Sequence, residues 1–255
     1  MIVEYHRPKS VQEALTLLAR EQPVSYPLAG GTVINRGMEI PIAVVDLQAL
    51  SLDTIVPKGN LVQVGSMVTL QKLLEIEGLP EDLYQAIRLE ATYNLRQLAT
   101  VGGTLITANG RSPLVTIMMA CNVEIELEQL GKKPERVKLG DWLPIRHHIM
   151  PGKLITSISV PLNIKLAYEF VARTPADQPI VCAAVGQWES GRTRLALGGW
   201  GSAPVLALDG PNPDGIETAA QDAYSTAEDE WASAEYRSEM AGVLSRRCLQ
   251  RLNPG

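Results

Sequence analysis

Only three cysteines occur in 255 residues, Cys121, Cys182 and Cys248, and no two have the CxxC spacing of a zinc or iron–sulfur site. Few, widely spaced and odd in number, they suit a reducing compartment better than a disulfide framework and read as buried thiols. Any metal cluster that works with this chain is expected on another chain. Positive charge is also in short supply, with 23 Lys and Arg against 28 Asp and Glu and a net charge of −5. That balance excludes a general attraction to nucleic acid, which needs clustered basic residues. No apolar run is long enough to span a bilayer, and the start "MIVEYHRPKS" lacks a basic segment followed by an apolar one. No membrane insertion is expected, and the expected location is cytoplasmic. Neither a Walker lysine nor three-glycine dinucleotide spacing accompanies the glycine pairs, which disfavours ATP binding and a conventional dinucleotide fold.

What remains is an ordinary globular composition, 45% hydrophobic and 20% charged, in a chain long enough for several small domains. Ser10 with Glu13 reads as a capping box opening a helix on which Val11, Ala14, Leu15 and Leu18 share a face, ended by Pro23. "YPLAGGT" and "IAVVDL" read as short strands. A second strand-rich segment starts at "LVQVGSMVTL", where Thr69 can cap a helix. "PEDLYQAIRLEA" has helical spacing, and a buried helix follows at Leu114, Ile117, Met118 and Met119. "CNVEIELEQL" alternates apolar residues with Glu124, Glu126 and Glu128, the pattern of a one-sided strand. "PGKLITSISVPL" is another strand, and Pro161 closes that region. Beyond residue 163, "IVCAAVGQW" and "RLALGGWG" form a hairpin preceded by a strand at "LAYEFVAR". "LDGPNPDG" reads as a loop, and helices are expected at "GIETAAQDAYSTA" and "SAEYRSEMAGVLSRRCLQRL".

One short pattern occurs twice, "LAGGTVI" at residues 28–34 and "TVGGTLI" at 100–106. Taken separately, each Gly-Gly-Thr is a tight turn. Taken together, they are two loops whose unobstructed N–H groups and threonine hydroxyls could clasp a diphosphate from two sides.

With these residues in view, the sequence resembles the FAD-binding medium subunit of the xanthine dehydrogenase and carbon monoxide dehydrogenase family of molybdenum hydroxylases. The resemblance covers nearly the whole chain. It is carried by "YHRPKSVQEALTLL", "LAGGT", "NLRQLATVGGTLITA", "PGKLITSISVPL", "RLALGGWGSAPV" and "SAEYRSEMAGVLSRRCL" in the family's order. It implies an α+β fold of three lobes. A small βαβ lobe (1–57) and a larger α+β lobe (58–163) would form a vanillyl-alcohol-oxidase-like FAD-binding fold. A C-terminal domain (164–255) would carry a three-stranded antiparallel sheet with helices. The implied cofactor is FAD, approached by Ala29, Gly30, Gly31, Thr32 and Val33 and by Thr100, Gly102, Gly103 and Thr104. Thr107 and Asn109 fall where relatives place small polar residues around the cofactor, and Leu154 and Ile155 where an apolar residue packs near the flavin ring. The implied partners are a large molybdopterin-binding subunit and a small 2Fe-2S iron–sulfur subunit. No residue of this chain need be catalytic, because the redox chemistry belongs to the cofactor.

Two departures from the family pattern qualify this expectation. Relatives often read "GGNIANASPAGDL" where this chain has "GGTLITANGRSPL", so Thr104 replaces Asn and Pro113 stands where Asp commonly helps hold the cofactor. Proline offers no side-chain acceptor, leaving Ser112 or Arg111 as substitutes, with a solvated Arg111 as the plainer reading. The second departure is the cluster Arg146, His147 and His148, either a cation set beside the flavin or a surface cluster. The four tryptophans read as core or interface, and the single Phe leaves any stacking on the flavin to Tyr or Trp. Arg246, Arg247 and Arg251 read as a solvated basic face rather than an interface. The resulting expectation is an electron-transfer subunit. Its rivals are a structural subunit with a weakened or lost FAD site and a free-standing flavoenzyme of the related fold.

Overall fold

A computed structural model describes residues 1–34, 40–175 and 177–254. In chain order the elements begin with β1 (Ile2–His6), α1 (Val11–Leu18), β2 (Ser25–Leu28), β3 (Ile42–Asp46), β4 (Ile55–Lys58), β5 (Leu61–Gly65) and α2 (Leu70–Leu73). Next come α3 (Glu81–Glu90), α4 (Tyr93–Arg96), α5 (Val101–Thr107), α6 (Pro113–Ala120), β6 (Glu124–Gln129), β7 (Glu135–Lys138), α7 (Leu139–Trp142), α8 (Arg146–Ile149) and β8 (Lys153–Pro161). The remainder is β9 (Lys165–Val171), β10 (Val181–Gln187), β11 (Thr193–Gly198), β12 (Val205–Gly210), α9 (Ile216–Ala223) and α10 (Ala234–Leu252). The fold is thus mixed α+β. It divides into two compact units, the first comprising Met1–Glu75, Tyr93–Thr107 and Glu124–Ser159, the second Ile76–Thr92, Ala108–Val123 and Val160–Gly255.

The first unit contains two sheets. The smaller is parallel, in the order β1-β3-β2, with β3 central and buried along its whole length. Parallel pairing demands a crossover, which α1 provides. Its start is fixed as the sequence predicts, with Glu13 N–H donating to Ser10 Oγ at 3.2 Å, and its Ala14, Leu15 and Leu18 are buried. They join Val45, Leu47, Leu50 and Leu154 in one apolar cluster. The larger sheet runs β4-β5-β8-β6-β7. On β6, Ile125 and Leu127 are buried while Glu124, Glu126 and Glu128 stay partly exposed, the one-sided alternation expected. Thr69 Oγ1 accepts from Lys72 N–H at 3.2 Å and caps α2.

The second unit is built on an antiparallel sheet in the order β12-β11-β10-β9. It has four strands where three were expected. The additional strand, β12, takes "VLALDG", whose half-buried edge residues merge in sequence with the Pro-rich stretch that reads as loop. Along β10, Val181, Ala183 and Val185 face a core completed by Tyr224, Ala241, Leu244 and Cys248 of the α9–α10 region. The alternate residues Cys182, Ala184 and Gly186 keep the other face shallow, and α6 packs on it. Arg237 is fully buried on α10, donating to the carbonyls of Ile180, Ala227 and Ala232 and pairing with Asp229 at 2.7 Å. All three cysteines are free and buried.

The expected solvated basic face on α10 is corrected in part. Arg246 pairs with Glu217 at 3.0 Å, and Arg251 pairs with Asp82 at 2.8 Å and Glu169 at 3.1 Å. Acidic residues of neighbouring elements lie within reach, which the helix sequence alone does not reveal. Among the described residues no helix is long and apolar enough to cross a membrane.

Candidate functional site

The two Gly-Gly-Thr segments meet in the first unit. A Cβ built on Gly30 would lie 1.8 Å from the Leu98 carbonyl oxygen and 2.6 Å from its carbon, so only glycine admits this approach. Leu98 lies two residues before Thr100, so the first motif rests against the chain entering the second. Gly31 has φ of +69°, the left-handed region that favours glycine. Among the described residues, the N–H groups of Gly30, Gly31 and Thr32 make no hydrogen bond. They form a half-buried turn of free donors, suited to an anion on an acidic protein. Ala29 packs against the α1 core cluster, and Val33 is exposed.

The second motif differs from its expected form, because it is helical rather than a loop. Thr100 bridges to Thr69, and Val101–Thr107 is α5. Two glycines disfavour a helix by propensity. Here tertiary contacts override that preference, with Val101 and Leu105 fully buried and the entering chain pinned at both sides. Leu70 N–H donates to Ala99 O and Val101 N–H to Val68 O, each at 2.9 Å. The N–H groups of the motif are therefore committed internally. Gly102 donates to Ser66 O at 2.9 Å, Gly103 to Thr100 Oγ1 at 3.1 Å, and Thr104 to Thr100 O at 2.9 Å. The threonine hydroxyls turn back as well, Thr104 Oγ1 to Thr100 O and Thr107 Oγ1 to Gly103 O, each at 2.9 Å. What α5 offers a ligand is a bare surface at Gly103. Gly102 lies against Ser66, where an added Cβ would come within 2.8 Å of the serine Cβ.

Leu154 and Ile155 are both buried on β8, and Leu154 packs into the α1 cluster. Asn109 belongs to the second unit, where its Oδ1 accepts from Arg111 N–H at 2.8 Å. Arg111 is neither solvated nor a free cation. Its guanidinium donates to the carbonyls of Gln178 and Pro179, each at 2.9 Å, and stacks 4.6 Å from the Trp231 ring, which Arg173 covers at 4.2 Å. Pro113 occupies the first turn of α6, where the missing N–H costs nothing. Ser112 Oγ caps that helix, accepting from Val115 N–H at 3.1 Å. The carboxylate at this turn comes from Glu90, which accepts from Ser112 Oγ at 2.7 Å and Leu114 N–H at 3.0 Å. Burial raises its pKa, against the lowering effect of those two bonds. Nothing in the sequence signalled this pairing, because α3 and α6 meet only through the fold.

The surface reading of the Arg146 cluster holds for His147 and His148 and is corrected for Arg146. Arg146 is only 3% exposed and donates to backbone, from Nε to Ile106 O at 3.1 Å and from Nη1 to Leu143 O at 2.8 Å. His147 and His148 are exposed, and desolvation followed by the Arg146 and His148 charges lowers the pKa of His147. Among the described residues no group of three or more His, Cys, Asp or Glu could hold a metal ion.

The free N–H turn at Gly30–Thr32, beside a glycine-surfaced helix, is chemically suited to a diphosphate-bearing cofactor. Comparison with known proteins bears on the cofactor and the family. Residues 1–163 match the family described as FAD binding domain in molybdopterin dehydrogenase. The chain is 28% identical to the carbon monoxide dehydrogenase medium chain of Afipia carboxidovorans, covering 97% of this chain and 96% of that one. It is 24% identical to the glyceraldehyde dehydrogenase medium chain of Sulfolobus acidocaldarius, covering 97% of each. Among solved structures, reconstituted CO dehydrogenase from Oligotropha carboxidovorans superposes with a TM-score of 0.82 at 27% identity, covering 98% of this chain and 96% of that one.

Proposed function

This chain belongs to the family of FAD-binding domains of molybdopterin dehydrogenases, and from that premise we propose that it is the electron-transfer subunit of a molybdenum hydroxylase complex. It is an oxidoreductase subunit and its cofactor is FAD. When bound, FAD supplies the redox chemistry. The chain's own residues bind and orient it. The single observation that carries this reading is the turn of free N–H groups at Gly30, Gly31 and Thr32, held against Leu98 at the entry to α5. That turn would receive the diphosphate, flanked by Ala29 and Val33. Thr100, Gly102, Gly103, Thr104 and Thr107 would form the facing wall, with Leu154 and Ile155 as its apolar backing. The partners would be a large molybdopterin-binding subunit, which selects substrate, and a small 2Fe-2S iron–sulfur subunit, which delivers electrons. Medium chains of similar identity carry the names of carbon monoxide and of glyceraldehyde dehydrogenases, which supports a substrate chosen outside this chain.

The test is the visible spectrum of the purified chain and the cofactor released on denaturation. A flavin spectrum with FAD near one per chain is expected. A colourless chain that does not take up added FAD would favour the second reading, a structural subunit, motivated by the committed N–H groups of α5 and by Pro113.

A further inference from the structure

Arg146 is a large cation placed almost wholly out of water, and its guanidinium donates to two backbone carbonyls from different elements. Keeping a guanidinium there is costly unless its fork is matched by acceptors held in fixed positions. One acceptor, Ile106 O, belongs to the last turn of α5; the other, Leu143 O, belongs to the short turn after α7. A helix end leaves its final carbonyls without partners inside the helix, and a basic side chain close to that end is one way to satisfy them. The opposite end of α5 is already fixed by Val68 and Ser66, through Val101 N–H and Gly102 N–H at 2.9 Å. A seven-residue helix with two glycines has little stability of its own. Its orientation is set by what holds its two ends.

We propose that Arg146 is a positioning residue for the cofactor, clamping the C-terminal turn of α5 so that the Gly103 surface faces the Gly30–Thr32 turn at a fixed separation. The proposal rests on the FAD-subunit reading above. Arg146 is 43 residues from Gly103 in sequence, and its Nε reaches the Ile106 carbonyl, so its action on the cofactor is through the helix.

The experiment uses the full chain with two variants, Arg146→Lys, which keeps a cation but not the fork, and Arg146→Gln, which keeps a single amide donor group. Amide hydrogen exchange is followed without FAD, and FAD affinity is measured by quenching of flavin fluorescence. Exchange at residues 104–107 is expected to accelerate while β3 and β8 keep native protection. FAD dissociation constants should rise about tenfold in the Lys variant and further in the Gln variant, as loss of a charge-assisted hydrogen bond implies. The visible bands of bound flavin should shift in the same order. Native exchange at 104–107 together with an unchanged dissociation constant overturns the proposal. So does loss of protection throughout the first unit, or failure of both variants to fold, since Arg146 then serves the fold as a whole. A wild-type chain that takes up no FAD is a failure of the flavoprotein reading instead, and the exchange measurement still decides whether the clamp exists.

Discussion

A methyl group separates the roles of the glycines at the site. Gly30→Ala would drive its Cβ into the Leu98 carbonyl at 1.8 Å, a backbone clash that no rotamer relieves. A loss of about 1–3 kcal/mol in urea unfolding is expected, with weakened FAD uptake. Gly103→Ala meets only Thr100 Oγ1 at 3.0 Å and gains helix propensity of about 0.8–1 kcal/mol. Its free chain should be as stable as the native one, so a loss of FAD affinity there would identify Gly103 as ligand-facing, and unchanged affinity would remove it from the site. Glu90 gives a pH prediction. Its carboxyl is raised above the ordinary 4.5, mainly by burial, so the folded chain holds the proton more tightly than the unfolded chain. Stability contributed there is present at low pH and falls as pH rises from 4.5 through the folded value. Glu90→Gln should abolish that slope in urea titrations across the range, and identical slopes for the two chains would refute the assignment. The thiols follow the same logic. Burial pushes Cys182 up to about 11 and raises Cys121 and Cys248 as well, so at mildly alkaline pH all three should ignore a thiol reagent until denaturant is added.

At the scale of elements, what sequence could and could not disclose follows from the range of the interactions. The caps at Ser10 and Thr69 were legible because donor and acceptor lie three residues apart. The alternation on β6 was legible because one face meets water. α5 was not, because its helical state depends on Val68 and Ser66, more than thirty residues upstream, and on Arg146, forty residues downstream of Ile106. Local propensity pointed to a loop and tertiary contacts decided otherwise. The candidate site was half legible for the same reason. The repeat marked both glycine segments, yet which of them keeps free N–H groups is a matter of partners distant in sequence. Gly102→Ala tests the packing at this scale. Its Cβ would meet Ser66 at 2.8 Å, and α5 should shift or fray, read as faster exchange at Gly103–Thr107 and a lower melting temperature than for Gly103→Ala.

For the whole molecule, FAD should act as a stabilising ligand. Free FAD at a hundred times its dissociation constant should add about 2.7 kcal/mol to the unfolding free energy, provided the unfolded chain does not bind it. Absence of any shift in melting temperature would leave the free N–H turn without its ligand. The paths of the two units have a consequence for synthesis. The chain passes from one unit to the other at residues 75–76, 92–93, 107–108, 123–124 and 159–160, so neither unit is a continuous stretch. A chain emerging from the ribosome therefore cannot complete its first half and then its second. The last strand of the first unit, β8, ends near residue 160, while α3 and α6 have already been made and must wait for β9–β12 and α10. During that interval the apolar faces of Leu83, Ile87, Ile117 and Met118 are left without the sheet and helices of their own unit. Residues 1–163 produced alone would be held at that stage, a fragment that contains both glycine motifs but leaves the second unit without its sheet.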